Sequence, residues 1–303
     1  MTSAPRFVPG AATGVLADPA DRCLVVAGRE LLVGADGALP RVAELPPETE
    51  WIPLGLLDGG RVWAAALPTP DAALGRWHGW PTVAAALGEP LAALAGRALQ
   101  VVTWRHSHRY CGACRAELTD VPGEHARRCP ACGLYVPMQL SPAVLVAIHR
   151  PGRAGGTDEL LLVRHSYGPT ELWALVAGFV EAGESLEEAV HREVAEEVSL
   201  RLAGVTYFGS QPWAMSGPGV VLAGFSAVCA EPDAEPVVDG AELTQARWFP
   251  LDALPAELPP AYSISRWLID AAVATATAGN RAAVPAPAGG GVPGQRAPER
   301  PAG

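Results

Sequence analysis

Between Gly178 and Leu200 the sequence reads GFVEAGESLEEAVHREVAEEVSL. Three of its carboxylates, Glu193, Glu196 and Glu197, fall at i, i+3 and i+4. On a helix that spacing puts them on one face. Carboxylates so placed repel one another, and a hard cation among them relieves the repulsion. Mg²⁺ takes such oxygens together with water and substrate phosphates. Arg192 can orient a neighbouring carboxylate through a charge-assisted hydrogen bond. A solvated acidic helix face would carry the same charges, so the residues alone leave both readings open.

A second cluster lies upstream. Cys111, Cys114, Cys129 and Cys132 spell C-x2-C-x14-C-x2-C. Each pair places two thiolates on one tight turn, and two facing turns complete a tetrahedron that suits Zn²⁺. Four sulfur ligands leave no open position, so the spacing predicts a closed, structural site. Paired CxxC units without a basic, apolar leader point to metal in a reducing, cytoplasmic setting rather than to disulfides. His106 and His108 could stand in for a cysteine, but the four thiolates complete the site without them. Two roles stay open for this ribbon: a clamp between domains, or a grip on nucleic acid through Arg105, Arg109, Arg115, Arg127 and Arg128. We favour the clamp, because no aromatic stacking platform accompanies these arginines.

The elements that must position these groups are legible around them. Ser185, with Glu188 three residues on, is a capping box that starts a helix over Ser185–Val198. Leu186, Val190 and Val194 give that helix one buried stripe. Ala143–Ile148, Glu159–His165, Trp173–Phe179, Val205–Ser210, Val220–Val228 and Ala246–Phe249 read as strands, and Ser263–Ala276 as a closing helix. Strands on both sides of a central helix imply a mixed sheet covered by helices. The uncharged stretch Leu202–Ala230 contains prolines, glycines and Gln211, so it reads as two buried strands and a loop rather than a membrane span. Cys23–Ala27 and Val62–Leu67 read as strands, and Thr82–Gly96 as helical. We divide the chain into an N-terminal α+β domain at 1–105, a zinc ribbon at 106–137, a catalytic domain at 138–278 and a disordered tail at 279–303, which is too poor in large apolar residues to offset its ordering entropy. The chain has 303 residues, 49% of them hydrophobic, and a net charge of −10. That charge excludes a general nucleic-acid binder, and a phosphorylated ligand would need metal ions for much of its neutralisation.

The carboxylate segment resembles the Nudix box, G-x5-E-x7-R-E-U-x-E-E-x-G-U, where U is apolar. Gly178, Glu184, Arg192, Glu193, Val194, Glu196, Glu197 and Leu200 match, and Ser199 replaces the second glycine. A serine there costs roughly 1 kcal/mol if the helix keeps a left-handed exit. With the cysteine quartet upstream, the chain is similar to the NADH pyrophosphatase family of Nudix hydrolases. TWRHSHRYCGAC, SPAVLVAI, GSQPW, ELTQARWF and SISRWLI follow in that family's order. Three stretches depart from it: the signature after Trp213 continues Ala214, Met215, Ser216 and Gly217, Ser265 replaces an alanine, and the lead into the first catalytic-domain strand is altered over Val136–Ser141.

The resemblance implies an α+β protein whose catalytic part is a Nudix α/β/α sandwich. It implies Mg²⁺ or Mn²⁺ held by Glu193, Glu196, Glu197 and Glu242, with Arg192 and Glu184 completing the catalytic set and structural Zn²⁺ on the four cysteines. Phe179, Gln211, Trp213, Glu242 and Ser265 would line the substrate, Phe179 as a base-stacking ring or else a core residue. His165 and His191 read as surface residues. The implied reaction splits the pyrophosphate of NADH or NAD into AMP and nicotinamide mononucleotide, and extends to removal of an NAD cap from RNA. A homodimer is implied, and no membrane partner. Two other readings stand beside it: hydrolysis of another nucleoside diphosphate derivative such as ADP-ribose, and a non-catalytic sensor on the same fold. The clustered glutamates argue against the sensor.

Overall fold

The computed structural model describes residues 6–10, 15–33, 38–87, 91–152, 155–215, 219–238 and 240–277. The expected tail at 279–303 lies outside them. The chain divides into two compact units, Met1–Pro142 with Pro212–Leu222, and Ala143–Gln211 with Ala223–Gly303.

The first unit opens with strands β1 (Phe7–Pro9), β2 (Arg22–Ala27), β3 (Glu30–Val33), β4 (Ile52–Leu57), β5 (Gly60–Leu67) and β6 (Arg76–Gly79). They form one sheet in the order β1-β4-β5-β2-β3-β6. β2 pairs with β5 in parallel, whereas β1 with β4, β4 with β5, β2 with β3 and β3 with β6 pair antiparallel, so the sheet is mixed. The stretch expected as one helix over Thr82–Gly96 is two, α1 (Trp80–Leu87) and α2 (Leu91–Ser107). The sequence between them includes Pro90, which a helix interior does not accommodate because the ring removes a donor and clashes with the preceding turn. Ala92, Leu94, Ala95, Ala98, Leu99, Val101, Val102 and Trp104 are all buried. A helix buried almost all round is a core element rather than a surface one. The ribbon strands β7 (Thr119–Asp120), β8 (Ala126–Arg128) and β9 (Tyr135–Pro137) follow as a small antiparallel sheet.

The second unit is built on β10 (Ser141–Arg150), β11 (Glu159–His165), β12 (Val176–Phe179), β13 (Leu202–Trp213), β14 (Val220–Cys229) and β15 (Leu243–Pro250), except for the strand ends Ser141–Pro142, Pro212–Trp213 and Val220–Leu222, which belong to the first. Their order is β13-β14-β10-β11-β15, with β12 pairing β10. β12 is shorter than the expected Trp173–Phe179, because Ala174 meets β11 only in an isolated bridge to Val163. Both strands expected in Leu202–Ala230 form, but β13 is not buried. It sits at the sheet edge with one neighbour, and most of its residues reach solvent. Among the described residues no helix is long and apolar enough to cross a membrane.

Helix α3 (Leu186–Val198) packs Ala189, Val190, Val194 and Val198 against Val144, Val146, Val163 and Phe225. Burying one such valine contributes about 1.5–3 kcal/mol. Successive strand residues face opposite sides. Gly224, next to Phe225, accordingly meets Leu268 and Ile264 of α4 (Ile264–Thr277) on the other face. The sheet is thus covered by α3 on one side and α4 on the other, the layered sandwich anticipated from the sequence.

The start and stop of α3 decide where the carboxylates point. Ser185 Oγ accepts from the Glu188 N–H at 3.2 Å, and Glu188 Oε2 accepts from the Ser185 N–H at 2.7 Å, which completes the capping box. At the far end Ser199 keeps the left-handed conformation, φ 56° and ψ 31°, and its N–H donates to Ala195 O at 3.2 Å. The helix exit is therefore the glycine exit made by a serine. Relieving that strain outweighs the extra unfolded-state entropy of glycine. Ser199→Gly should raise stability by about 0.5–1 kcal/mol, seen as a higher urea midpoint at unchanged slope. A midpoint at or below the parent's would refute the strained-cap account.

Candidate active site and metal centre

Arg192 is the hub of the carboxylate helix. Its Nε and Nη2 donate to Glu184 at 3.1 and 2.6 Å, a two-pronged contact. Nη1 donates to Glu193 Oε1 at 2.9 Å and to Glu196 Oε2 at 3.0 Å. Nη2 also donates to the Phe179 carbonyl at 2.8 Å. These contacts raise the guanidinium further above its ordinary pKa, the Glu184 hydrogen bonds foremost. Glu184 is held below the usual carboxylate range by the same pair and by the Glu181 N–H, which donates to it at 2.7 Å. Glu184 therefore positions Arg192.

Gly178 explains how close the helix lies to the sheet. A Cβ built there would fall on the Glu193 carboxylate. Glycine at this point lets that carboxylate lie flat on β12, facing α3. Glu193 and Glu197 are buried, while the Glu196 side chain is exposed. Burial pushes the Glu193 carboxyl up, Arg192 opposes it, and Glu196 and Glu242 reinforce it.

Glu242 reaches this cluster from the start of β15. The register of β11 against β15 shifts between Arg164 and His165, a bulge that re-aims the strand end. The Ser166 N–H donates to Glu242 O at 2.8 Å, and Ser166 Oγ to Ala241 O at 2.8 Å. Tyr167, which sequence reasoning passed over, stands beside the same carboxylates. Its phenol is pushed up by burial and then by Glu197, Glu242 and Glu193. No motif marks it; only the bulge and the turn after β11 bring it there. His165 is half-buried rather than a surface residue, its ring against Tyr167 at 5.1 Å, and burial lowers its pKa. His191 is exposed, as expected.

The other sequence candidates separate. Phe179 is 54% exposed, so the core alternative is set aside. Gln211 is buried and spent on the fold: its Nε2 donates to Tyr262 O at 2.7 Å and its Oε1 accepts from the Ile264 N–H at 2.8 Å, fixing the start of α4. Trp213 belongs to the first unit, edge-on to Trp80 at 5.5 Å. Its carbonyl accepts from Gln100 Nε2 at 3.0 Å, and Val220 O accepts from the same atom at 3.1 Å. Ser265 Oγ is buried and has no hydrogen-bond partner. Of the altered loop, 216–218 lie outside the described residues.

The four cysteine sulfurs lie within 4.8 Å of one another, with Cys111–Cys132 at 3.6 Å and Cys114–Cys129 at 3.4 Å. Tetrahedral zinc with Zn–S of about 2.3 Å needs sulfurs about 3.8 Å apart, so the residues fit the ion. The Cys132 N–H donates to Cys129 Sγ at 3.4 Å, and this contact leads the lowering of the Cys129 thiol to about 6. The two turns match: Arg115 and Gly133, each four residues after a cysteine, are both left-handed, φ 67° and 78°. Among the described residues no comparable set of carboxylates converges to that range. Glu193 and Glu196 are turned to Arg192, which a cation between them would have to outcompete.

The ribbon arginines are largely engaged at home. Arg105 and Arg127 both pair with Asp120, at 2.5 and 3.0 Å. Arg127 Nη1 donates to the carbonyls of Arg105 and His108 at 3.3 and 3.0 Å, tying the ribbon to the end of α2. One expectation is corrected: aromatic partners do accompany them. Arg109 lies over Tyr110 at 5.7 Å and Arg128 over Tyr135 at 5.2 Å, with both tyrosines exposed.

Known proteins share this arrangement. Residues 139–268 match the NUDIX domain, and residues 106–136 match the NADH pyrophosphatase zinc ribbon domain. The NAD-capped RNA hydrolase NudC of Deinococcus radiodurans is 38% identical over 251 residues, 83% of this chain and 87% of that protein. The chain belongs to the NADH pyrophosphatase branch of the Nudix hydrolases. The NAD-capped RNA hydrolase NudC of Pseudomonas syringae pv. tomato is 37% identical over 270 residues, covering 86% of this chain and 93% of its own. Membership in this branch of Nudix hydrolases makes the chain a hydrolase.

Two outcomes follow from the geometry. Gly178→Ala should displace the Glu193 carboxylate, the flexible partner in the clash. Turnover should fall by roughly 10²-fold while the melting temperature moves little; unchanged turnover would show that Glu193 does not need its place on β12. Metal analysis of purified protein should find one tightly held zinc per chain, lost in Cys129→Ser together with much of the thermal stability, since such sites release roughly 10–16 kcal/mol on binding. Protein without zinc whose four thiols all react freely would overturn the assignment.

Proposed function

We propose that the chain hydrolyses the pyrophosphate of NADH and NAD to AMP and nicotinamide mononucleotide, and removes the NAD cap from RNA. The observation that carries this is the carboxylate cluster ordered by Arg192, in a chain so similar to NAD-capped RNA hydrolases. Glu193, Glu196, Glu197 and Glu242 would hold Mg²⁺ or Mn²⁺. Such ions, once bound, neutralise the pyrophosphate and lower the pKa of a coordinated water. The residues of the chain do the rest. Arg192 and Glu184 fix the helix carboxylates. A glutamate of the cluster accepts the proton of the attacking water. That oxygen bonds to phosphorus as the bridging P–O bond breaks, and the bridging oxygen leaves with the nucleoside monophosphate. Phe179, exposed at the strand end, offers a ring to a base, and Ser265 an uncommitted hydroxyl. Gln211 holds the start of α4, and the Trp213 and Val220 carbonyls, both bound by Gln100, hold the two ends of the loop between them.

The supporting parts are read the same way. We assign 1–105, 106–137 and 138–278 as separate domains, the ribbon acting as a zinc-dependent clamp, since Arg127 binds it to α2. The thiol usage suits a cytoplasmic protein, and the family resemblance a homodimer.

Glu197→Gln removes a charge and keeps the side-chain size. It should abolish hydrolysis with the fold intact by circular dichroism; activity within a few-fold of the parent would sink this helix as the active site. In a panel of NADH, NAD, ADP-ribose and NAD-capped RNA, we expect NADH to be split with a narrow lead. The loop after Trp213 carries Met215 where the family has an aromatic, and lost stacking of this kind is worth about 1–3 kcal/mol per base. A sharp NADH preference that survives Met215→Ala would count against that reading.

A further inference from the structure

On the sheet face opposite α3, two guanidiniums lie over one buried ring. Arg164 Cζ stands 4.6 Å from the centroid of Trp173, and Arg247 Cζ 5.7 Å. Trp173 is only 5% exposed. The register explains the pairing: Arg247 opposes Leu162, two residues before Arg164 and on the same face. Neither guanidinium has a carboxylate or a hydrogen-bond acceptor among the described residues, and Arg164 Nε is buried without one. The other described arginines of this unit are paired. Arg150, also stacked on a tryptophan, holds Glu159 at 2.6 Å and Glu235 at 3.3 Å. Arg192, Arg201 and Arg266 have acidic partners too.

Covering a tryptophan needs one guanidinium. A second one over the same ring adds like-charge repulsion, and a buried N–H without an acceptor is costly. Both are relieved by an oxyanion between the arginines. A phosphate fits best, since a guanidinium grips two of its oxygens at once. The sequence has no lysine, so arginine is the permanently charged side chain it can offer for such a contact. The place is next to the chemistry. Arg164 directly precedes the bulge at His165, and its carbonyl accepts from Thr244 Oγ1 at 3.1 Å, two residues from Glu242. Phe179 shares the face of Trp173, because Gly178 faces α3 and alternate residues face together.

We propose that Arg164 and Arg247 form a second phosphate subsite, for a phosphate that the substrate carries beyond the pyrophosphate being split. The proposal rests on the function proposed above. Two sources share this chemistry: the first phosphodiester of a capped RNA and the 2′-phosphate of NADPH. NADH has neither. The test compares the full-length parent, Arg247→Gln and Arg164→Gln/Arg247→Gln on NADH, NADPH and an NAD-capped oligonucleotide, at low and moderate salt. NADH turnover should stay within two-fold of the parent. kcat/KM for at least one phosphate-bearing substrate should fall ten-fold or more in the double variant and partly in Arg247→Gln, whose exposed side chain is no threat to folding. The salt dependence for that substrate should weaken as well. Loss on the capped oligonucleotide alone identifies the phosphodiester as the ligand, and loss on NADPH alone the 2′-phosphate. Equal losses on all three substrates, no loss on any, or a parent that splits only NADH would overturn the subsite. A parent that splits none of the three fails the underlying reading, and the subsite falls with it.

Discussion

Like-charge repulsion on one helix face sets the terms for the rest of the catalytic unit. At 4 Å two unit charges repel by about 1 kcal/mol in water and about 4 kcal/mol at an effective dielectric of 20. α3 presents Glu193, Glu196 and Glu197 within two turns, and Glu242 arrives from just before β15. Arg192 is the internal counterweight. One rigid fork answers Glu184, Glu193 and Glu196 and still reaches the Phe179 carbonyl. A lysine has one ammonium point and could not hold that set at once. The guanidinium thus joins helix, preceding loop and strand end into one body.

Such a body needs the helix pressed against the sheet, and several small details follow from that need. Gly178 gives up its side chain so that the Glu193 carboxylate can lie on β12. Val190 and Val194 are fully buried and fix the helix rotation. The capping box fixes its start, and Ser199 accepts a left-handed conformation to end it on time. On the opposite face Gln211 uses both ends of its amide to hold the start of α4. Each is a local cost or commitment that makes sense only because the helix carboxylates must be held in fixed places against the sheet.

The parts legible in the sequence were those where spacing alone carries geometry. The i, i+3, i+4 carboxylates, the Ser185–Glu188 box and the CxxC pairs each encode a distance through a regular repeat. What stayed hidden depends on how segments far apart in sequence meet. The break before α2 needed Pro90 to be weighed against an otherwise helical run. The exposure of β13 follows from its edge position, which its uncharged composition does not reveal. The Arg128–Tyr135 stack forms only because β8 and β9 pair these two residues, so the sequence seemed to lack an aromatic platform. Tyr167 enters the site only because a bulge re-aims the end of β11.

The same distinction separates holding from touching in the GSQPW segment. The family order placed Gln211 and Trp213 at the substrate. Yet Gln211 is buried with its amide engaged by α4, and Trp213 has its ring against Trp80 and its carbonyl under Gln100. A side chain whose polar atoms are already bonded has little left to offer a ligand. Groups that remain available have the opposite character. Phe179 shows an open ring, Ser265 a buried hydroxyl without partner, and Arg164 a buried N–H without acceptor. Under the proposed function, discrimination among substrates would fall to residues the fold has not used up. Phe179 and the two arginines also share one sheet face, so under the proposed function base and phosphate contacts would lie on the side of the sheet away from the helix carboxylates.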